Sequence, residues 1–328
     1  MRTALLSLTV VALCVVTTPA FAQQTPLEAK EKSVIRFDVN MDKIVNSDLG
    51  KRFGLADQIK NLPIDSGDMD PSAISRVFGS VNLPDNIEPF LAMEPGMALP
   101  IEMFARVAFS EGGALKSAFE KMSEESEEVT IGGKKFIKPT DEEAPEGLLA
   151  QKVDDKTLEL GTEKYVTRAD REVNTDSLNK AWSMAPDHAV RIVVDVEGMA
   201  DLREEIIDYV AETAPVGVAY AELLNNITNL RITVDLDGDQ LLTISATGKD
   251  EELAEEFADG IDSILLFPKM GLDPARAPND EAAEVMSEIA DAMQAKLDGK
   301  EVSVIIPRPE GFDKFIESMM MGGAGGGF

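Results

Sequence analysis

The chain has 328 residues, with 60 acidic and 31 basic side chains and a formal net charge of −29 at pH 7. This charge repels phosphate backbones and anionic lipid, so we expect no nucleic-acid binding. One histidine, His188, excludes a catalytic zinc held by two or three histidines. One cysteine, Cys14, lies in a segment that we expect to be removed, which excludes disulfides and Cys-ligated metals in the mature chain.

Residues 1–22 have the layout of a secretory signal peptide, with Arg2, an apolar run and an Ala-x-Ala pair that ends at Ala22. We expect cleavage before Gln23 and export to the periplasm or the extracellular space. The apolar run is too short for a comfortable membrane span, so no stable membrane insertion is expected. Residues 23–32 are typical of a flexible leader.

A strand–helix pattern occurs twice along the chain. Residues 33–41 (SVIRFDVNM) predict a strand, after which Asp42 caps a helix. Residues 188–199 (HAVRIVVDVEGM) predict a second strand followed by a helix, and Asp38 and Asp195 occupy matching places. The pattern indicates an internal repeat, with chance likeness between generic α+β segments as the alternative.

The next elements repeat as well. Residues 101–110 and 241–248 predict strands, and each strand is followed by a helix with a Leu-x-x-x-Phe pair: Leu115/Phe119 and Leu253/Phe257. Each half then reaches a Gly-Lys turn and a strand ended by proline, GGKKFIKP in the first half and DGKEVSVIIP in the second. Residues 148–161 predict a hairpin, and residues 61–100 predict a long loop with short helices.

These elements predict the α+β class, with antiparallel sheets, helices packed on one face and two duplicated ferredoxin-like halves. The expected organisation is a first half at 33–173, a linker or helix at 174–187, a second half at 188–318 and a flexible Gly/Met-rich tail at 319–328.

The segment VDLDGDQLLTISA raises the question of a metal site, because Asp235, Asp237 and Asp239 surround a glycine. A helix-loop-helix calcium loop needs glycine at position 6 and a bidentate glutamate at position 12, where this chain has Gln240 and Ala246. Asp-Gly between alternating apolar residues favours a β-hairpin. The three aspartates remain weak candidates for a divalent cation at the hairpin tip.

Other motifs give no catalytic or cofactor-binding residue. His188 precedes a strand, and no Gly-x-Ser-x-Gly elbow supplies it with a serine. Ser177 and Lys180 match Ser-x-x-Lys, but the companion motifs are absent and Asp176 or Ser177 suits a helix cap. Acidic loop residues could hold a cation weakly, although solvated turns are the simpler interpretation: Asp65, Asp68 and Asp70. An apolar stripe at helical spacing predicts core packing rather than a cofactor site, and it consists of Met286, Ile289, Met293 and Leu297.

The signal peptide, the tandem strand–helix patterns and the DGKEVSVIIP ending resemble uncharacterised exported bacterial proteins with two α+β halves. The likeness covers most of residues 33–320, and it implies no activity and no functional residue. The favoured hypothesis is a non-enzymatic protein that acts by binding or scaffolding. The alternative is a carboxylate-dependent hydrolase, with or without a weakly bound divalent cation, which would need converging acids in one pocket.

Export predicts that the chain recovered from its producing cell begins at Gln23. Intact-mass measurement and N-terminal sequencing check this directly. Ala22→Asp, which removes the small residue at the cleavage site, should leave the longer precursor. A wild-type chain that still begins with residues 1–22 would contradict the export prediction.

Overall fold

The computed structural model describes residues 33–60, 71–82, 102–124, 126–140, 147–166, 174–213, 217–277 and 279–322. Within this part of the chain, twelve strands form one sheet in the order β11-β12-β10-β9-β8-β1-β2-β3-β7-β6-β5-β4. The strands are β1 (Ile35–Asn40), β2 (Ile74–Asn82), β3 (Glu102–Phe109), β4 (Ser126–Ile131), β5 (Lys134–Pro139), β6 (Leu148–Lys152), β7 (Thr157–Thr162), β8 (Val190–Asp195), β9 (Ile227–Val234), β10 (Gln240–Gly248), β11 (Lys296–Asp298) and β12 (Glu301–Pro307).

The helices connect these strands. They are α1 (Met41–Asn46), α2 (Asp48–Arg52), α3 (Leu55–Lys60), α4 (Gly112–Glu124), α5 (Glu163–Val166), α6 (Asp176–Met184), α7 (Ala200–Thr213), α8 (Val218–Glu222), α9 (Glu251–Gly271), α10 (Asp280–Ala292) and α11 (Phe312–Gly322). In the described chain, no helix combines the length and apolarity that a membrane span requires.

Every pair of neighbouring strands in the sheet is antiparallel, and the predicted α+β class is confirmed. The two halves share this one sheet, because β1 pairs directly with β8 at its centre. Outward from this pair the order is repeated: β1-β2-β3-β7-β6 on one side and β8-β9-β10-β12-β11 on the other. The repeated order fits a duplication. The duplication and the predicted domain boundaries both stay predictions.

The prediction that each half has a ferredoxin-like arrangement is wrong. That fold is a split βαβ unit, in which another strand separates the two strands joined by the first helix. Here β1 and β2 are direct neighbours, as are β8 and β9. The chain between the strands of each pair is helical and returns antiparallel to the adjacent position.

Two further expectations are corrected. The predicted 61–100 loop contains β2, whose apolar and polar residues alternate only weakly and whose flanking sequence is rich in proline, glycine and aspartate. The GGKKFIKP strand is not the counterpart of the DGKEVSVIIP strand, because β7 rather than β5 lies beside β3, as β12 lies beside β10. The predicted signal peptide and leader lie outside the described residues, and α11 continues to Gly322, past the predicted start of the tail.

The sheet has one apolar face and one polar face, since side chains alternate along each strand. Most helices, including α1, α4, α9 and α10, pack on the apolar face, as predicted. On this face Leu115 of α4 is fully buried against Phe37, Val107 and Leu158. Helices α5 and α6 depart from the prediction and lie on the polar face, where their buried residues contact Phe104 and Val193.

The packing of α4 predicts that Leu115→Ala lowers the free energy of unfolding by about 2–5 kcal/mol, because it leaves a cavity in the core. Leu266→Ala in α9 is the matched control, since Leu266 is 60% exposed, and we expect a change of about 0.5 kcal/mol or less. Chemical denaturation followed by circular dichroism measures both. Equal effects of the two substitutions would contradict this assignment of the core.

Candidate functional site

The polar face of the sheet carries charged side chains at its centre. In the β1–β8 register Asp38 lies directly opposite Arg191, and in the β1–β2 register it lies opposite Phe78. The alternation of β1 places Arg36 on the same face as Asp38, while Phe37 points to the apolar core. The meeting of β1 with β8 therefore brings charges from both halves together.

Asp38 forms ion pairs with two arginines. Its carboxylate accepts hydrogen bonds from Arg76 Nε at 2.7 Å and Arg76 Nη2 at 2.5 Å, and from Arg191 Nη2 at 3.3 Å. Asp38 is only 3% exposed, whereas the side chain of Arg76 is 40% exposed, so the carboxylate is buried and its main partner reaches solvent. The pKa of Arg76 is raised above its usual value, chiefly because its guanidinium donates to Asp38. Arg76 is therefore held in its charged form.

Helix α6 places the single tryptophan over this cluster. Thr175 caps the helix by accepting a hydrogen bond from Leu178 N at 3.0 Å, and its hydroxyl also donates to Asp195. Thr175 thus takes the role predicted for Asp176 or Ser177. Leu178 and Ala181 are buried at helical spacing against Val193 of β8, which fixes the adjacent Trp182 against the sheet.

Two guanidinium groups contact the indole ring of Trp182. The Cζ atom of Arg191 lies 3.6 Å from the ring centroid, and that of Arg36 lies 4.3 Å from it. Both distances lie within the range of cation–π attraction, which is worth about 0.5–2 kcal/mol according to how far the cation is desolvated. The ring therefore holds two positive charges close to each other.

These residues line a cavity of about 190 Å³, which we call the sheet-face cavity. Its lining consists of Arg36, Phe37, Asp38, Arg76, Phe78, Gly79, Ser80, Asn174, Trp182 and Arg191. Three polar atoms of lining residues are buried without a hydrogen-bond partner: Ser80 Oγ, Asn174 Oδ1 and Arg191 Nε. Ser80 is itself only 2% exposed. Buried polar groups are nearly always hydrogen-bonded, so three unpaired atoms among the lining residues of one cavity set it apart from an ordinary packed region.

Two further charge networks on this face are paired within the protein. Glu159 is fully buried and accepts hydrogen bonds from Gln151 at 2.5 Å and from Arg106 at 3.3 Å. Arg231 donates to Glu301 and to Ser245. These networks lie on either side of the sheet-face cavity, whose lining instead combines three arginines with one carboxylate.

The predicted metal candidates lie at the tip of the β9–β10 hairpin. Asp235 accepts hydrogen bonds from the backbone N–H groups of Asp237 and Gly238, both at 3.1 Å. Asp237 accepts from Asp48 N at 3.0 Å and so joins the tip to the start of α2. Asp239 begins the return into β10. Among the residues that the structure describes, no three acidic or histidine side chains gather in a way that could hold a metal ion.

The remaining sequence candidates have local structural roles. His188 precedes β8, and its Nδ1 lies 3.3 Å from Asp235 Oδ2. Lys180 is exposed on α6, next to the cavity helix but outside the lining. Met286, Ile289 and Met293 are buried in the core around α10, as predicted, while the helix ends at Ala292. Leu297 lies in β11 and is exposed. Asp65, Asp68 and Asp70 fall outside the described residues.

Asn40 corrects one further expectation, because its side chain, not that of Asp42, caps α1 by accepting from Lys43 N at 2.9 Å. Sequence reasoning missed the arginine cluster altogether. A signal existed in the period-2 pattern of IRFDVN, which places Arg36 and Asp38 on one face of a strand that is otherwise apolar. The pattern does not identify the neighbouring strand, since nothing local shows that β1 pairs with β8.

The ion pairs of Asp38 predict that Asp38→Asn lowers the free energy of unfolding by about 1.5–3 kcal/mol, because the largely buried Arg191 loses its carboxylate while the part-exposed Arg76 keeps access to water. Asp313→Asn is the matched control. Asp313 also bridges two arginines, Arg52 and Arg308, but it is 25% exposed, and we expect a loss of about 1 kcal/mol or less. Urea unfolding measures both, and a smaller loss for Asp38→Asn than for Asp313→Asn would contradict the assignment.

Comparison with known proteins gives a weak structural likeness. No family model matches the chain, and no curated protein matches it. Among solved structures, crystal form III of TP0453 has 10% sequence identity and a TM-score of 0.41, over 87% of this chain and 94% of that chain. Crystal form I of TP0453 gives 10% identity and a TM-score of 0.40, over 87% and 93% of the two chains.

Proposed function

We propose that this chain is an exported, non-enzymatic binding protein that takes a small anion into the sheet-face cavity. Export rests on the signal-peptide layout of residues 1–22. Binding rests on the lining of the cavity, and above all on the buried and unpaired hydroxyl of Ser80 beside a cluster of arginines.

The charge of the cavity favours an anion. Arg36, Arg76 and Arg191 bring three positive charges, and Asp38 supplies one negative charge. Asp187 also attracts Arg76 and Arg191, so the positive excess belongs to the lining residues themselves, within a chain of formal net charge −29. Guanidinium groups present planar pairs of N–H donors that match carboxylate and phosphate oxygens, so an oxyanion is the natural partner.

The unpaired atoms favour occupation by a ligand. A buried hydroxyl or guanidinium N–H without a partner costs about 1–3 kcal/mol of folding free energy. An oxyanion that reached Ser80 Oγ or Arg191 Nε, after a small shift of the side chains that cover these two atoms, would recover part of that cost. A ligand is therefore stabilised both by charge and by donors that the protein leaves unused.

A carboxylate-dependent hydrolase is less well supported. Such chemistry needs two acids that act as proton donor and base or nucleophile. Among the described residues, Asp38 is the one carboxylate that lines the sheet-face cavity, and its oxygens already accept hydrogen bonds from Arg76 and Arg191. The described lining therefore supplies no second acid to complete such a pair.

The proposal predicts that Trp182 fluorescence changes saturably when the protein is titrated with sodium propionate or sodium phosphate. Trp182 is the sole tryptophan, so its emission reports on this cavity alone. Sodium chloride at matched ionic strength is the control for general screening, and isothermal titration calorimetry provides an independent Kd.

Substitutions separate binding from folding. Ser80→Ala should weaken binding about tenfold while leaving the Tm unchanged or slightly raised, because it removes an unpaired buried hydroxyl. Ser245→Ala, on the same face but outside the cavity, should leave the Kd unchanged. Absence of saturable binding by either anion, or equal Kd values for the wild type and Ser80→Ala, would overturn the proposal.

A further inference from the structure

We infer that the outward face of α9 is a docking surface for a cationic amphipathic helix of another protein. This face is acidic in its N-terminal half and apolar in its C-terminal half, so one end offers charge and the other offers apolar contact. None of its residues lines the sheet-face cavity, so the inferred partner is additional to the proposed anion.

The apolar half consists of three exposed side chains. Leu266 is 60% exposed, Phe267 is 68% exposed and Met270 is 71% exposed, more than any other large apolar side chain in the described part of the chain. Met270 follows Leu266 by four residues and Phe267 by three, the spacings that make side chains neighbours on a helix. Single apolar residues are common on protein surfaces, whereas an exposed apolar group of this kind marks a contact site.

The core holds α9 by its other side. Ala254, Phe257 and Ala258 are buried on that side. Ile261 and Leu265 are partly buried there as well. The exposed apolar residues are therefore not needed to fix the helix on the sheet.

The acidic half continues the same face toward the start of α9. Asp259 and Glu255 precede Leu266 by about two and three helical turns, and both are exposed. Lys269 is the one basic residue in the sequence of α9, against six acidic ones. A solvated acidic face alone would indicate no partner, but this one leads directly into the exposed apolar residues.

These two halves fit a helix that carries Lys or Arg at one end and large apolar side chains at the other. Its basic residues would lie over Glu255 and Asp259, and its apolar residues would pack on Leu266 and Met270. From Glu255 to Met270 the face is about 22 Å long, so a partner segment of about 16 residues covers it.

A second copy of this chain fits the face less well. Two α9 helices packed in parallel would place Glu255 and Asp259 against the same acidic residues of the other copy. Packed antiparallel, they would bury these carboxylates against the apolar residues without a partner, which costs free energy. An anionic bilayer is repelled by the formal net charge of −29.

The test uses two fluorescently labelled helical peptides of equal length and composition, made of Leu, Lys and Ala. The first carries its Leu residues in one half and its Lys residues in the other, whereas the control intersperses them. Fluorescence anisotropy measures the Kd of each peptide for the purified protein. We expect the first peptide to bind at least about tenfold more tightly, because it alone matches both halves of the face at once.

A substitution in the apolar half tests its share of the binding. Phe267→Ser should weaken binding of the first peptide about tenfold, because it removes an apolar anchor. Val153→Ser is the matched control, since Val153 is exposed on the first half of the chain, and it should leave the Kd unchanged. Both side chains are largely in solvent, so the Tm should stay near that of the wild type.

A double variant tests the acidic half. Glu255→Gln with Asp259→Asn should weaken binding about fivefold and reduce its dependence on salt. Glu204→Gln with Asp208→Asn is the matched control, because it neutralises an exposed Glu–Asp pair of the same spacing on α7 and should leave the Kd unchanged.

Equal Kd values for the two peptides, or a Kd that Phe267→Ser leaves unchanged, would overturn the inference. Analytical ultracentrifugation and flotation with phosphatidylcholine vesicles test the other occupants. Self-association or vesicle binding that Phe267→Ser abolishes, without selective binding of the first peptide, would assign the face to a second copy or to a lipid surface and would overturn the cationic helix.

Discussion

The structure depends on the antiparallel pairing of β1 with β8. This pairing joins the two halves into one sheet, and it places Asp38 opposite Arg191 across the central register. A buried carboxylate costs folding free energy unless it is paired and hydrogen-bonded. A shift in the β1–β8 register would therefore be unfavourable, because it would place Asp38 opposite an apolar residue. The ion pair therefore fixes the register at the point where the halves meet.

The same pairing creates the sheet-face cavity. Arg36, Arg76 and Ser80 come from the first half, Arg191 comes from the second, and α6 between the halves supplies Trp182. Neither half contains the complete lining. In a strongly acidic protein, this junction gathers three guanidinium groups beside Asp38, and Asp187 acts electrostatically on two of them. Concave binding sites commonly form at the junction between two structural units.

The sequence was informative where local pattern determines structure. Alternation and turn residues were enough to predict the β9–β10 hairpin around Asp237 and the strand–helix pair that contains Leu115. The strand β2 was missed because turn-forming segments flank it and because its own alternation is weak. Sheet order was mispredicted for a different reason: strand pairing is a long-range choice, and hydrophobic periodicity does not identify the neighbour.

The site was hidden by the same limit. Arg36 and Asp38 are visible as polar residues on one face of a strand, yet their partners Arg76 and Arg191 are distant along the chain. The aspartates of the hairpin tip are the more visible motif, because their local spacing resembles a calcium loop. There Asp235 and Asp237 bind backbone N–H groups, which is how short carboxylates commonly stabilise turns.

A double-mutant cycle between Asp38→Asn and Arg191→Gln tests the central claim most directly, because it measures the coupling of the two strands at one register position. Unfolding free energies of the wild type, the two single variants and the double variant give the interaction energy. Direct pairing of β1 with β8 predicts a coupling of more than about 1 kcal/mol. Additivity of the two substitutions within about 0.5 kcal/mol would contradict it.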